Sequence, residues 1–473
     1  MAEITFGTDG WRAIIAADFT FTNVSYVAQA IAHYLQQEGL AERGLVVGYD
    51  TRFLADRFAQ VVTEVMAGNG IHTYLCVKYA PTPAVAHAVL AQRAGGAVML
   101  TASHNPAEYL GIKFIPHYAG PALPAEIDPI VANLQQVVQS GKVRQLTLTG
   151  ARRQGLVTEL EPLPAYTAHV ESLLDFTAIK KAGLKVVVDP MYGAGIGYVE
   201  SILSKHGCAV TAIHNRRDPL FGGKLPDPSA AHLEALRQQV QADGADLGVA
   251  LDGDADRLGV IDPDGRYYSP NEILTLFMEY LLQERGCRGA VARTVATTHM
   301  LDRLAEHYGC PVLETPVGFK YIGQALREQN AFLGGEESGG VSINGHLPEK
   351  DGIFAALLFI EMLAKTGQTA AALLDSIKER FGPVYTERLD LRTTAADKTA
   401  VMEKMAHWQP PILAGREVAA VNRLDGLKLI LDNGSWCLVR PSGTEPVFRI
   451  YTEAASEAEK TLIQNEVKKS LFG

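Results

Sequence analysis

Cysteine is scarce: five in 473 residues, at Cys76, Cys208, Cys287, Cys310 and Cys437, with no Cys-x-x-Cys pair. Scattered and odd in number, they exclude a disulfide framework and a thiolate zinc site, and reduced core thiols of a cytoplasmic protein are expected. Positive charge is also short. Forty-three Lys and Arg stand against 53 Asp and Glu, a net charge of −10. A nucleic-acid binder would carry a basic face, so no such partner is expected. An anionic ligand would have to be met by local lysines and arginines rather than by the field of the whole molecule. Long apolar runs are missing too. The strongest candidate, 354–364, is interrupted by Glu361 and is too short to span a bilayer, so no membrane partner is expected. Met1–Ala2–Glu3–Ile4 shows no basic segment leading into an apolar one, and no secretory signal is expected.

What the chain does have is 47% hydrophobic and 20% charged residues, an ordinary globular balance. Its length suggests three or four domains at ~100–200 residues each. Short apolar runs alternate with helix-period segments. Leu45–Val46–Val47–Gly48–Tyr49 reads as a strand ending in Asp50–Thr51–Arg52, and Ala97–Val98–Met99–Leu100 as a strand ending in a loop. The grammar loosens near Pro162 and Pro164. It restarts at Lys185–Val186–Val187–Val188 and again from about Tyr267. Alternation of this kind predicts parallel α/β layers. After Gly382–Pro383 the pattern changes: Leu427–Leu431, Asp432–Asn433–Gly434 and Trp436–Val439 spell a β-hairpin, with further strand and helix signals around it. The expected units are 1–155, 156–264 and 265–382, all α/β with mixed sheets, and a smaller α+β unit, 383–473.

Four loops carry polar sets suited to chemistry. Thr101–Ala102–Ser103–His104–Asn105–Pro106 puts a hydroxyl, an imidazole and an amide at a strand end, where open α/β sheets bind ligands. A serine there is otherwise only a turn former. Asp252–Gly253–Asp254–Ala255–Asp256–Arg257 places three carboxylates after a buried strand, too costly to crowd together without a cation. Hard oxygen ligands suit Mg²⁺ or Ca²⁺, but a calcium loop needs glycine and glutamate where Arg257 and Pro263 stand. A solvated acidic turn is the plain alternative. Gly335–Glu336–Glu337–Ser338–Gly339 offers a carboxylate and a hydroxyl, a set that suits sugar hydroxyls or, more plainly, a helix N-terminus. Arg440–Pro441–Ser442–Gly443–Thr444 fits a phosphate dianion, with Arg449 as a second fork, or else an ordinary polar turn. Gly193–Ala194–Gly195–Ile196–Gly197 lacks the dinucleotide spacing and reads as a close-packing turn. Together the loops supply a serine, a metal site, a hydroxyl reader and a phosphate clamp, which is what phosphoryl transfer requires.

From Gly7–Thr8–Asp9–Gly10 to Arg440–Pro–Ser–Gly–Thr–Glu–Pro, these motifs resemble the α-D-phosphohexomutase family, which covers phosphoglucomutases, phosphomannomutases and phosphoglucosamine mutases. The resemblance implies three similar α/β domains and a TATA-binding-protein-like fourth around one cleft. It implies that Ser103 carries a phosphoryl group and binds Mg²⁺ with Asp252, Asp254 and Asp256. Hexose 1- and 6-phosphates would interconvert through α-D-glucose 1,6-bisphosphate, which also serves as activator. His104 and Lys113 would act beside Ser103, and Arg12, Arg257 and Lys320 would line the phosphate path. Glu336 and Ser338 would read sugar hydroxyls, while Arg440, Ser442, Gly443 and Thr444 would hold the idle phosphate. The family's Tyr-Asn-Gly is Tyr109–Leu110–Gly111 here. Its mannose-associated histidine is Gly340, which favours glucose, and its glucosamine-associated glutamine is Glu337. The expected protein is a monomer or homodimer. Rival readings are a phosphoglucosamine mutase, a haloacid-dehalogenase-type phosphatase with Asp252 as nucleophile, and a non-catalytic sugar-phosphate binder.

Overall fold

The computed structural model describes residues 4–7, 10–442 and 447–473. Three of its sheets repeat one plan. In the first, Gly96–Leu100 pairs parallel with Leu45–Tyr49, which pairs parallel with Thr73–Cys76; Tyr109–Pro116 returns antiparallel on the other side of Gly96–Leu100. In the second, Leu247–Leu251, Lys185–Asp189 and Ala209–Ala212 stand in the same relation, and Leu258–Ile261 is the return. In the third, they are Ala331–Gly335, Ala290–Thr294 and Val312–Thr315, with Val341–Ile343 returning.

The strands Gly96–Leu100, Leu247–Leu251 and Ala331–Gly335 are buried at every position, as expected where helices cover both faces of a sheet. Each then turns straight back instead of crossing over through a helix. That turn leaves a short loop at the carboxyl end of the strand: 101–108, 252–257 and 336–340. The similarity expected among the three α/β units is thus one of topology, and it delivers three polar loops to equivalent places.

The first sheet reaches further along the chain than the boundary expected at residue 155. Val157–Leu160 pairs parallel with Thr73–Cys76 as its outer strand. The prolines that suggested the boundary come just after this strand, at the start of helix Leu163–Leu173. The last unit is a six-stranded sheet, antiparallel at each pairing, with helices Ala395–His407 and Glu457–Phe472. Its Asn433–Gly434 hairpin forms as the sequence requires, with Gly434 at φ +83°.

This unit docks on the third through a small buried cluster of Val295, Ala296, Trp436, Leu438 and Tyr451. Lys428 is buried there, its Nζ donating to Val295 O at 2.6 Å and lying 4.2 Å from the centre of the Trp436 ring. The first three units meet at a stack of histidines. His87 stacks on His169 at 4.8 Å and His169 on His346 at 5.2 Å, with a 3.0 Å hydrogen bond between His169 Nε2 and His346 Nδ1. His346 Nε2 and the Tyr166 hydroxyl both meet Asp351 Oδ2, at 2.8 and 2.6 Å.

Burial first, then the neighbouring His346 and His87, pushes His169 down to about 4. Folded His169 therefore resists protonation that it accepts near 6.5 in the unfolded chain, and stability contributed above pH 6.5 is lost as pH falls towards 4. Melting temperature should drop across that window, and less steeply in His169→Gln. Parallel melting curves for the two proteins would rule the stack out as the cause.

Candidate active site

Ser103 is 1% exposed and sits at φ +50°, in the left-handed region that costs a residue with a Cβ about 1–3 kcal/mol unless its surroundings fix it. Its Oγ donates to Asp252 Oδ2 at 2.6 Å and lies 3.3 Å from His104 Nδ1. The close approach of the two loops depends on Gly253, where a Cβ would fall 2.5 Å from the Ser103 carbonyl oxygen. Gly193 is needed beneath them, because a Cβ there would lie 2.9 Å from the Asp252 carbonyl oxygen. The 193–197 segment is therefore a packing turn supporting the acidic loop.

Asp252, Asp254 and Asp256 are all buried, with one carboxylate oxygen from each within 4.8 Å of the others. Asp252 Oδ1 accepts the amides of Asp256 and Arg257 at 2.8 and 3.1 Å. Burial, followed by the charges of Asp256 and Asp254, pushes the Asp252 carboxyl well above the usual range. Burial acts on Asp254 in the same sense, but Lys113 and the Thr82 hydroxyl outweigh it and hold that carboxyl low. Lys113 Nζ bridges Asp254 Oδ2 and Asp256 Oδ2, at 3.0 Å each.

Asp254 Oδ1 and Asp256 Oδ1 have no hydrogen-bond partner among the described residues. Buried, orphaned carboxylate oxygens are what a hard divalent cation takes as ligands, so the donor set fits a metal. Asp252, Asp254 and Asp256 would hold it, with Ser103 Oγ at its edge.

Arg12 Nη1 donates to Asn105 Oδ1 at 2.8 Å, at the rim of the serine loop. Arg257 lies 3.9 Å from Asp256 and 4.0 Å from Asp227. Its charge, then burial, then Arg12, keeps the His104 imidazole well below its ordinary value, hence neutral and able to accept a hydrogen bond. Lys320, expected on the phosphate path, lies over the Tyr321 ring at 5.3 Å. It is Lys350, which carries no motif signal, that reaches Asp256 Oδ2 at 3.4 Å.

The third loop abuts the second: a Cβ on Gly339 would lie 3.7 Å from Arg257 Cβ, and one on Gly340 2.6 Å from Lys350 Cδ. Ser338 Oγ donates to Glu336 Oε1 at 2.7 Å. Burial and the adjacent Glu337 push the Glu336 carboxyl up to about 7. Such a group can both give and accept hydrogen bonds near neutral pH.

In the fourth unit, Arg440 and Arg449 are direct cross-strand partners. Arg440 Nε donates to Asp425 Oδ2 at 2.8 Å, and the same oxygen accepts the Val317 amide of the third unit at 3.0 Å. Arg449 Nε is buried without a hydrogen-bond partner among the described residues. The Ser442 carbonyl accepts from Lys398 Nζ at 2.6 Å. Gly443 and Thr444, like Thr8 and Asp9, lie outside the described residues.

Sequence reading overlooked Asp50 and Arg52 as well as Lys350. The sequence signal was two opposite charges at i and i+2 ending an apolar strand, and both are fully buried. A serine against an acidic trio, with guanidinium groups nearby and a carboxyl–hydroxyl loop beside them, fits an enzyme that moves phosphoryl groups.

Comparison with known proteins gives the family. Phosphoglucomutase/phosphomannomutase alpha/beta/alpha domain I matches residues 3–140, domain II 164–265, domain III 269–381 and the C-terminal domain 395–470. A phosphoglucomutase/phosphomannomutase of Thermococcus kodakarensis is 33% identical, over 96% of this chain and 95% of that one. A phosphoglucosamine/phosphogalactosamine mutase of Sulfurisphaera tokodaii is 29% identical, over 99% of each. A crystal structure from Thermus thermophilus, assigned as a phosphomannomutase, superposes with a TM-score of 0.86 at 34% identity and covers both chains fully. The chain belongs to the phosphoglucomutase/phosphomannomutase family of phosphohexomutases. It is an enzyme of intramolecular phosphoryl transfer, and magnesium binding fits both the family and the acidic trio.

Proposed function

We propose that this enzyme interconverts α-D-glucose 1-phosphate and glucose 6-phosphate, with mannose phosphates as a second substrate pair. Ser103 is the phosphoryl carrier and glucose 1,6-bisphosphate the intermediate. One observation carries this reading: the buried Ser103 hydroxyl, 2.6 Å from the metal-fitting carboxylate Asp252. When bound by Asp252, Asp254 and Asp256, magnesium supplies positive charge at the transferring group.

In the first half-reaction the phosphorus–Oγ bond of phospho-Ser103 breaks as a sugar hydroxyl oxygen bonds to phosphorus. The hydroxyl proton ends on Ser103 Oγ, and Asp252 Oδ2 and His104 Nδ1 are the acceptors within reach for its passage. The second half-reaction reverses these bonds at the other phosphate, after the bisphosphate has turned around. Lys113, Arg12 and Arg257 offset the charge on the phosphoryl oxygens. Glu336 and Ser338 hold sugar hydroxyls in either orientation, since a carboxyl near 7 can donate or accept. Arg440 and Arg449, with Ser442, Gly443 and Thr444, hold the idle phosphate; Lys320 stands further along its path.

Glucose is preferred because Gly340 offers no side chain that would select an axial hydroxyl. In a coupled assay with added glucose 1,6-bisphosphate, glucose 1-phosphate should give the highest kcat/KM, mannose 1-phosphate a lower one and glucosamine 1-phosphate the lowest. A preference for glucosamine 1-phosphate would overturn the substrate assignment and leave the family intact.

A further inference from the structure

Arg52 follows the strand Leu45–Tyr49 and is fully buried. Its guanidinium is the centre of the serine loop. Nη2 donates to the carbonyl oxygens of Ser103 and Asn105, at 2.6 and 2.7 Å. Nη1 donates to those of Pro106 and Tyr109, at 2.7 and 3.0 Å. Nε lies 3.2 Å from Asp50 Oδ2. The same Asp50 oxygen accepts from Thr101 Oγ1 at 2.7 Å, and Thr101 Oγ1 accepts the Ser103 amide at 2.9 Å. Both backbone groups of Ser103 are therefore tied to one buried ion pair, the carbonyl directly and the amide through Thr101. The second unit covers the pair. Phe221 stacks on the Arg52 guanidinium at 4.8 Å, and Arg217 donates to the carbonyls of Thr51 and Arg52.

We propose that Arg52, with Asp50, is a positioning residue for the phosphoryl carrier: it holds Ser103 in its left-handed conformation and so keeps Oγ on Asp252. The reasoning is geometric. Four carbonyls are drawn inward to one planar cation, while the Ser103 side chain faces Asp252 with His104 Nδ1 3.3 Å from its Oγ. A guanidinium alone among side chains offers its donors as a rigid fork, and a lysine has a single nitrogen to place. Arg52 touches no reacting atom in this arrangement. Its effect is on where Oγ stands, and a displacement of about 1 Å is enough to cost about a hundredfold in rate.

The inference rests on the reading of Ser103 as the phosphoryl carrier, and the test separates the two. Wild-type enzyme, Arg52→Lys and Thr101→Val are incubated with glucose 1,6-bisphosphate, and phosphoryl uptake is followed by intact mass. Steady-state kinetics on glucose 1-phosphate are measured alongside. The expected result is rapid uptake by the wild type and uptake slowed about a hundredfold in Arg52→Lys, with kcat reduced in step and KM within about threefold. Thr101→Val should show the same split more weakly.

If wild-type Ser103 takes up no phosphoryl group, the carrier reading fails. If the wild type does so and both variants match its rate, Arg52 has no positioning role. A fall in kcat/KM through KM alone would also overturn the proposal, because it would mark Arg52 as part of substrate binding. Should Arg52→Lys not fold, Thr101→Val decides, since it leaves the ion pair intact.

Discussion

Ser103→Ala should lose at least about four orders of magnitude in turnover, because a covalent carrier has no substitute once its oxygen is gone. The physical case is the position of that oxygen. Its donor bond to Asp252 places it on the acidic trio, and the left-handed backbone at Ser103 belongs to the loop that presents it there. Intact-mass measurement of the wild type should show a fraction heavier by one phosphoryl group, absent from the variant. The fold should be unaffected, since the substitution removes a single hydroxyl and Asp252 keeps its two amide donors. Full activity in Ser103→Ala would end the proposal. So would a phosphoenzyme labile in the manner of an acyl phosphate, which would move the carrier to Asp252 as in a haloacid-dehalogenase-type phosphatase.

The loops at 101–108, 252–257 and 336–340 were legible because each follows a short apolar strand and ends at a proline, a glycine or a charge, a local signal that needs no knowledge of the partner strand. The Asn433–Gly434 hairpin was legible for the same reason. Arg52 and Lys350 were not. Burial of a charge depends on what packs over it, and the groups that meet Arg52 come from residues 103–109 and from Phe221. A sequence shows only Asp50 and Arg52 two positions apart at a strand end, a pattern equally common on surfaces. Lys320 sits at the start of helix Phe319–Glu328, with its Nζ over the Tyr321 ring. Lys350, just before the helix Gly352–Thr366, points at Asp256 instead because Gly352 packs directly on the acidic loop, its amide donating to Ala255 O at 3.1 Å. The outer strand Val157–Leu160 escaped notice since four residues of mixed polarity carry little periodicity.

Magnesium removal should be the second large effect. Three carboxylates offer oxygens within 4.8 Å of one another in a buried pocket, and the cations beside them are Lys113, Lys350 and Arg257, the last shared with Asp227. Lys350 is shared with Glu349 at 2.9 Å, so negative charge remains in excess. A divalent ion offsets that excess and occupies the orphaned oxygens of Asp254 and Asp256. Chelation should lower turnover at least about a hundredfold, as befits several kcal/mol of charge stabilisation at the transferring group, and added magnesium should restore it. Stability gives an independent readout. The charge of Asp252 is penalised by burial and by its two neighbours. Asp252→Asn should therefore melt no lower than the wild type in chelator, because it removes that charge and keeps an oxygen for the Asp256 and Arg257 amides. With magnesium the order should invert: the wild type gains stability by mass action, about 2.7 kcal/mol at a hundred times Kd, and the variant gains far less. Equal magnesium-dependent shifts in the two proteins would place the ion somewhere other than the acidic trio.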